Sequence, residues 1–488
     1  MAPRRARWLD VRAAVYVSGM RIISGGSYVP YRRLDRATIS EALGTPPAPG
    51  TRSVASYDED ATSMGVEAAR NALANVPPEL APELVLFATS TPAYLDKTNA
   101  TAIHAALGLD RSIAAFDVVG SVRSGMAAMQ LAGSASQRTL VVRSDVRTGL
   151  PGGADERDGG DGAAAFLFAP AGADVPAQTT ALGRGAATLE FLDRWRLPGE
   201  PASHVWEERF GEHAYVPLAQ AAFTDACKSA GITPEDLDHV LVSGPHSRAV
   251  RVASKAIGVR PDALVDNLSA TVGYTGAAHS GIALADVLET TEPGKKIGVL
   301  LLADGADALI FETTDALGTI KPRRTVAEQL AAGVGGLSYE TFLTWRGMLD
   351  REPPRRPDPV APAAPPSLRS EDWKFAFAAS RCEACGERHL PPARVCAKCG
   401  SIDQMTSERM ADVPATIATF TVDRLAFTPS PPLVAAVLDF DGGGRFRGEL
   451  TDVDPAAVKV GDRIEMTFRR ITTAQGVHNY FWKGKPAR

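Results

Sequence analysis

The chain has 488 residues, of which 45% are apolar and 22% charged, and its formal net charge is −5. This length exceeds one ordinary hydrophobic core, so two or three folding units are expected. The mildly acidic balance excludes nucleic acid and anionic membranes as global partners, leaving only local basic pairs such as Arg355-Arg356 and Arg469-Arg470 to hold phosphates.

The basic start, Met1 to Arg7, is not followed by the apolar run of a signal peptide. No stretch reaches the ~18 uninterrupted apolar residues of a membrane-spanning helix, so the sequence predicts a cytoplasmic protein with no membrane partner. Along the first two thirds, short β-rich runs alternate with helical patterns. Thr62 to Ala74 predicts a helix that leads through a proline-marked turn into a strand, Leu84 to Thr89, and further strands follow at Thr139 to Ser144 and Ala163 to Ala169. The same order recurs with a helix over Leu218 to Ala230, then strands at His239 to Ser243, Lys296 to Ala303 and Ala306 to Glu312. Apolar strands of this kind need helices on both faces of their sheets. Two such halves in tandem predict a duplicated five-layer αβαβα unit over residues 1–345, with repeats at about 14–170 and 171–320.

Asp350 to Pro366 is so dense in proline that helix and sheet are both excluded, and residues 346–370 read as a semi-rigid linker. Beyond it, Cys382, Cys385, Cys396 and Cys399 form two CxxC pairs separated by ten residues, with Gly386 and Gly400 after the pairs where tight turns need positive φ. Two such knuckles supply a closed tetrahedral thiolate shell, which predicts a structural Zn2+ in a ribbon over residues 371–405. Residues 406–488 carry five short β-type runs, at Ala415 to Val422, Leu433 to Phe440, Arg445 to Leu450, Arg463 to Phe468 and His478 to Trp482. The five runs, with a DGGG turn at 441–444, fit a small OB-fold barrel. The fifth cysteine, Cys227, lies on an apolar helical stripe with Phe223 and Ala230 and reads as a packing residue.

These pieces resemble known families. Trp373 to Ser401, the barrel strands and Asn479 to Lys483 look like the zinc-ribbon/OB-fold proteins that accompany thiolases. Residues 14 to 320 resemble the thiolase superfamily, specifically 3-hydroxy-3-methylglutaryl-CoA synthase and β-ketoacyl synthase III. That likeness rests on Thr89 to Pro92, Asp117 to Gln130, Gly160 to Ala165, Gly244 to Ser247 and Gly273 to His279. The resemblance implies a homodimer and a tunnel that delivers an acyl thioester on coenzyme A or the phosphopantetheine of an acyl-carrier protein. It also implies a cysteine, histidine and asparagine site in which a helix N-terminus activates the cysteine.

Carried over position by position, that site is altered: Val122 stands at the nucleophile, His246 at the histidine and Tyr274 at the asparagine. Valine has no nucleophilic atom, and the flanking Ser121 and Ser124 are turned away from its position around a helix, so the expected chemistry is non-covalent. Tyr274 can pack as a plug or donate to a developing oxyanion; His279 reads as an ordinary helix-start histidine, and Asp161 and Asp304 as turn formers. Two classes remain open. One is an acyltransferase or C–C bond synthase or lyase using His246 and Tyr274, and the other is a non-catalytic subunit that binds an acyl thioester or scaffolds a condensing enzyme.

Overall fold

The computed structural model describes residues 19–352, 355 and 360–488, so the basic start, Arg356 and part of the proline-rich segment lie outside the described residues. The first half begins with strand β1 (Arg21–Tyr28) and helix α1 (Ala61–Leu73), followed by β2 (Leu84–Thr89) and α2 (Ala100–Leu107). It continues through β3 (Ala114–Val119), α3 (Ser124–Gly133), β4 (Thr139–Val146) and β5 (Asp161–Phe168). The second half repeats the series with β6 (Thr179–Ala187), α4 (Glu208–Ala230), β7 (His239–Ser243), α5 (Ser247–Ala256), α6 (His279–Thr290), β8 (Lys296–Leu302) and β9 (Ala306–Thr313).

The strand order β7-β8-β9-β6-β1-β5-β4-β2-β3 is the same sequence of roles read outward in both directions from the centre. β2 runs parallel to β3 and β4, and β7 parallel to β8, with Leu264 bridging Val240 where the first half has β3. The two halves meet where Arg21 and Ile22 pair with Thr180 and Thr179. Alternation along the strands separates the layers, because successive side chains point to opposite faces. Val141, Phe166, Val299 and Leu309 pack with Met126 and Ile282 of the central helices α3 and α6. Leu140, Val142, Ala163 and Ala165 face outward to Met64 and Ala68 of α1, while Leu300, Leu302, Ala308 and Ile310 face Ala222 and Phe223 of α4. The five layers are therefore present.

The proline-rich segment is a correction. Ala364–Arg369 forms a short helix with proline in its first turn, where no intrahelical N–H is required. The ribbon that follows orders its strands as β11-β10-β12, from β10 (Ala378–Cys382), β11 (Arg388–His389) and β12 (Met405–Arg409). The closed barrel β13-β14-β15-β17-β16 is built from β13 (Ala415–Asp423), β14 (Leu433–Phe440), β15 (Arg445–Leu450), β16 (Arg463–Ala474) and β17 (Val477–Pro486).

The barrel docks on the first half through buried charge. Arg469 is fully enclosed and pairs with Asp452 and Glu59 at 2.6 Å and with Asp58 at 3.5 Å, while Arg70 donates to the Met466 carbonyl at 2.9 Å. An unpaired buried charge costs ~3–5 kcal/mol, so only the register that pairs all of these groups is open to the barrel. The Arg469-Arg470 pair is accordingly not a phosphate site: Arg469 is consumed internally, and Arg470 donates to the Tyr57 carbonyl and lies 3.8 Å from Asp60.

Candidate functional site

Two adjoining cavities open where the strands of the two halves end. The larger, about 980 Å³, is lined by His246, Tyr274 and His279; the smaller, about 430 Å³, by Val122. They share Arg147, Arg194, Ser203 and Pro245 along their boundary. His246 and Tyr274 thus come together on one cavity, and Val122 lines its neighbour.

Backbone geometry fixes Tyr274. Gly273 has φ +83°, and a Cβ there would lie 2.2 Å from the Gly159 carbonyl oxygen, so the close approach requires glycine. The Tyr274 N–H donates to the Asp158 carbonyl at 2.8 Å, and its own carbonyl accepts from Gly160 N–H at 3.0 Å. The residue is half-buried, but its hydroxyl is enclosed and has no protein hydrogen-bond partner. Burial raises its pKa well above the ordinary phenol value, against the opposing pull of Arg147, Arg194 and Arg143, so it stays a proton donor across the physiological range.

His279 is more than a helix-start residue. It is buried, its ring centroid lies 4.9 Å from that of Tyr274, and its Nδ1 accepts from Thr275 N–H at 3.3 Å. Burial, with a smaller contribution from Arg143, lowers its pKa to about 4, so a neutral imidazole lies beside the phenol at pH 7. His246 precedes α5 as its N-cap, with Nδ1 accepting from Ala249 N–H at 3.0 Å. On its other side a Cβ at Gly211 would come within 2.9 Å of its Nε2, so the absence of a side chain there makes room for the ring. Val122 sits in the turn before α3 and packs into the central core.

Asp161 is not a turn former. It is fully buried at the start of β5, accepts from Ala55 N–H at 2.7 Å and Arg147 N–H at 2.8 Å, and pairs with Arg346 and Arg52. Asp304, with φ +47°, does form the turn between β8 and β9. Cys227 is buried with Phe223 in the outer core of the second half, and burial pushes its thiol up to about 11, which removes it as a nucleophile.

Sequence reading missed a short hairpin, Arg194–Trp195 paired with His204–Val205, which borders both cavities and brings Arg194 to both and Arg196 to the smaller. Two-residue strands in a loop leave no periodic signal. In the ribbon, the four Sγ atoms of Cys382, Cys385, Cys396 and Cys399 all lie within 4.8 Å of one another, and Gly386 and Gly400 both have φ +77°. Four thiolates about 2.3 Å from a common centre fit that cage, so the donors suit Zn2+ and leave no open coordination position.

Comparison with known proteins agrees with this fold. Family models match residues 227–309 as the 3-oxoacyl-[acyl-carrier-protein] synthase III C-terminal region, 376–402 as the ChsH2 rubredoxin-like zinc ribbon and 408–469 as the ChsH2 C-terminal OB-fold domain. Hydroxymethylglutaryl-CoA synthase of Aeropyrum pernix is 29% identical over 66% of this chain and 93% of its own length. The enzyme of the same name from Pyrococcus horikoshii is 27% identical over 64% and 91%. Among solved structures, PksG, an HMG-CoA synthase from Bacillus subtilis, has TM-score 0.57 at 19% identity and covers 68% of this chain and 89% of its own. The 3-oxoacyl-(acyl carrier protein) synthase III of Pseudomonas aeruginosa has TM-score 0.54 at 19% identity over 61% and 98%. The fold is the thiolase fold, followed by a zinc ribbon and an OB-fold barrel.

Proposed function

We propose that this thiolase-fold protein, with its zinc ribbon and OB-fold barrel, acts on an acyl thioester carried by coenzyme A or a phosphopantetheine arm without forming an acyl-enzyme. It passes the acyl group directly to an acceptor, or makes or breaks a C–C bond beside the thioester. The observation that carries this reading is the Tyr274 hydroxyl, a protonated donor buried on a large cavity with no protein partner. A buried donor left unsatisfied costs ~1–3 kcal/mol, a cost that a ligand oxygen would recover. Negative charge developing on a thioester oxygen would strengthen that bond in the transition state, which is how such donors accelerate reactions. His246 on the same cavity is the proposed acid/base group, and His279 holds the Tyr274 ring in place.

We further propose a bound zinc in the ribbon, a homodimer and a cytoplasmic setting. The edge strand β3 supports the dimer, since it presents Phe116 and Val119 at 56% and 49% exposure where a second copy could cover them. No helix among the described residues is long and apolar enough to cross a membrane.

Covalency is the direct test. Incubation with acetyl-CoA or longer acyl-CoAs is expected to add no acyl mass to the intact chain, because Val122 offers no nucleophile and the Cys227 thiol stays protonated. Val122→Cys is expected to gain a labelled population. A stable adduct on the unaltered chain at Ser121, Ser124 or Cys227 would overturn the non-covalent mechanism.

A further inference from the structure

One wall of the smaller cavity is the segment between β2 and α2, residues 90–99, which contributes Ser90, Thr91, Pro92 and Leu95. It forms no helix or strand, so its shape is set by whatever ties it down. Both ends are fastened within the thiolase fold. Asp145 accepts from Ser90 N–H at 2.6 Å and from the Thr91 hydroxyl at 3.2 Å. Asp117 accepts from the N–H groups of Asn99 and Ala100, each at 2.7 Å.

The middle is fastened to the barrel. Asn99 first brackets the Tyr94 backbone, its Oδ1 accepting from the Tyr94 N–H at 3.0 Å and its Nδ2 donating to the Tyr94 carbonyl at 2.9 Å. The Tyr94 side chain then meets the hairpin of β16 and β17. Its hydroxyl oxygen accepts from His478 N–H at 2.7 Å, and the two ring centroids are 4.9 Å apart. The His478 ring also hydrogen-bonds the Ala93 backbone, and its Nδ1 lies 2.8 Å from the Thr473 hydroxyl across the hairpin. From Pro92 to Asp96, every hydrogen bond that leaves the segment goes to this hairpin among the described residues.

The hairpin has a firm base. Close to His478, the Tyr480 hydroxyl donates to Asp60 at 2.7 Å, and Arg470 N–H donates to the Asp58 carbonyl at 2.8 Å. The cavity side offers less support. Leu95, the residue after Tyr94, is 74% exposed, so packing does not place it and it follows the Tyr94 backbone. A loop fastened only toward its ends keeps conformational freedom in its middle, and a ligand that used the wall would have to remove that freedom on binding. A fastening already made removes it beforehand and so favours the ligand.

We propose that Tyr94 and His478 are positioning residues through which the barrel holds the 92–96 wall of the smaller cavity in its binding shape. The barrel is then part of the site, although it contributes no residue to the cavity lining. That the ligand is an acyl thioester rests on the reading above; the positioning does not. Linkage is reciprocal, so a ligand that uses this wall must tighten the hairpin contact by the same factor that the contact adds to its affinity.

The experiment measures amide hydrogen exchange on the full chain, with and without acetyl-CoA, beside the acetyl-CoA dissociation constant. Tyr94→Phe keeps the ring and loses the acceptor, so exchange at the His478 amide is expected to quicken. His478→Ala is expected to speed exchange at the amides of 93–96 by about tenfold and to weaken acetyl-CoA by about five- to tenfold. Zinc content and exchange in the other barrel strands should stay as they were. Acetyl-CoA should slow exchange at 477–479 in the unaltered protein and fail to do so at 93–96 or 477–479 in His478→Ala. A purely structural His478 would loosen the barrel while leaving 93–96 and the affinity unchanged, which overturns the proposal. Faster exchange at 93–96 with unaltered affinity overturns it as well. Should His478→Ala loosen the whole barrel, Tyr94→Phe, with the barrel sequence intact, decides by the same two measurements. Failure of acetyl-CoA to bind the unaltered protein would count against the acyl-thioester reading, and exchange at 93–96 alone would then decide the positioning.

Discussion

Purified protein is expected to contain close to one zinc per chain, and Cys396→Ser is expected to abolish it and unfold the ribbon. The four Sγ atoms lie within 4.8 Å of one another, so removing one leaves three ligands and a strained remainder. The ribbon has little else to hold it, since its strands are two and five residues long. Structural zinc supplies on the order of 10 kcal/mol to units of this size, far more than any side chain they bury. The damage should spread along one route. Trp373 and Phe377, just before β10, meet Phe446, Phe481 and Trp482 of the barrel edge-to-face or tilted, at centroid distances of 5.1 to 6.0 Å. Near-UV circular dichroism should therefore lose barrel aromatic signal, while far-UV helix signal from α1 to α6 persists. Soluble, folded protein without metal would remove the zinc from the account.

What the sequence disclosed follows periodicity and spacing. Four of the five barrel strands begin at the residue the alternation predicts, and Val477–Pro486 begins one residue earlier than the expected His478, because alternation of apolar and polar residues is the direct imprint of a half-buried strand. The tandem halves were visible for the same reason, and the cysteines through their spacing. Long-range pairing left no such imprint. Asp161 beside a glycine reads locally as a turn, yet Arg346, far along the chain, makes it the anchor of a buried ion pair. His279 reads as a helix start until Tyr274 is seen beside it, and Arg196 is an unremarked loop charge until the hairpin carries it to Ser90. Proline-rich Ala364–Arg369 misled in the opposite sense, since proline excludes a helix interior but is welcome in its first turn.

Tyr274→Phe is expected to lower turnover while making the unliganded protein more stable, and the pair of signs is what separates a catalytic donor from a packing plug. The substitution removes one oxygen and leaves the ring against His279 and the central core. That oxygen is buried without a protein partner, so deleting it relieves a desolvation cost of up to ~1–3 kcal/mol and should raise the melting temperature. If the same oxygen meets the thioester in the transition state, its loss should reduce kcat/KM by ~10²-fold or more, the scale seen when one oxyanion donor is removed. His246→Ala gives the contrasting pattern. It deletes the acceptor that caps α5, costing about 0.5–2 kcal/mol, and as an acid/base group it should lower turnover by ~10²–10⁴. Release of free CoA from a panel of acyl-CoAs, read beside thermal melts, measures both quantities. A binding or scaffolding subunit predicts that neither substitution changes turnover by a partner enzyme. Activity that persists unchanged in Tyr274→Phe and His246→Ala would place the chemistry outside this cavity.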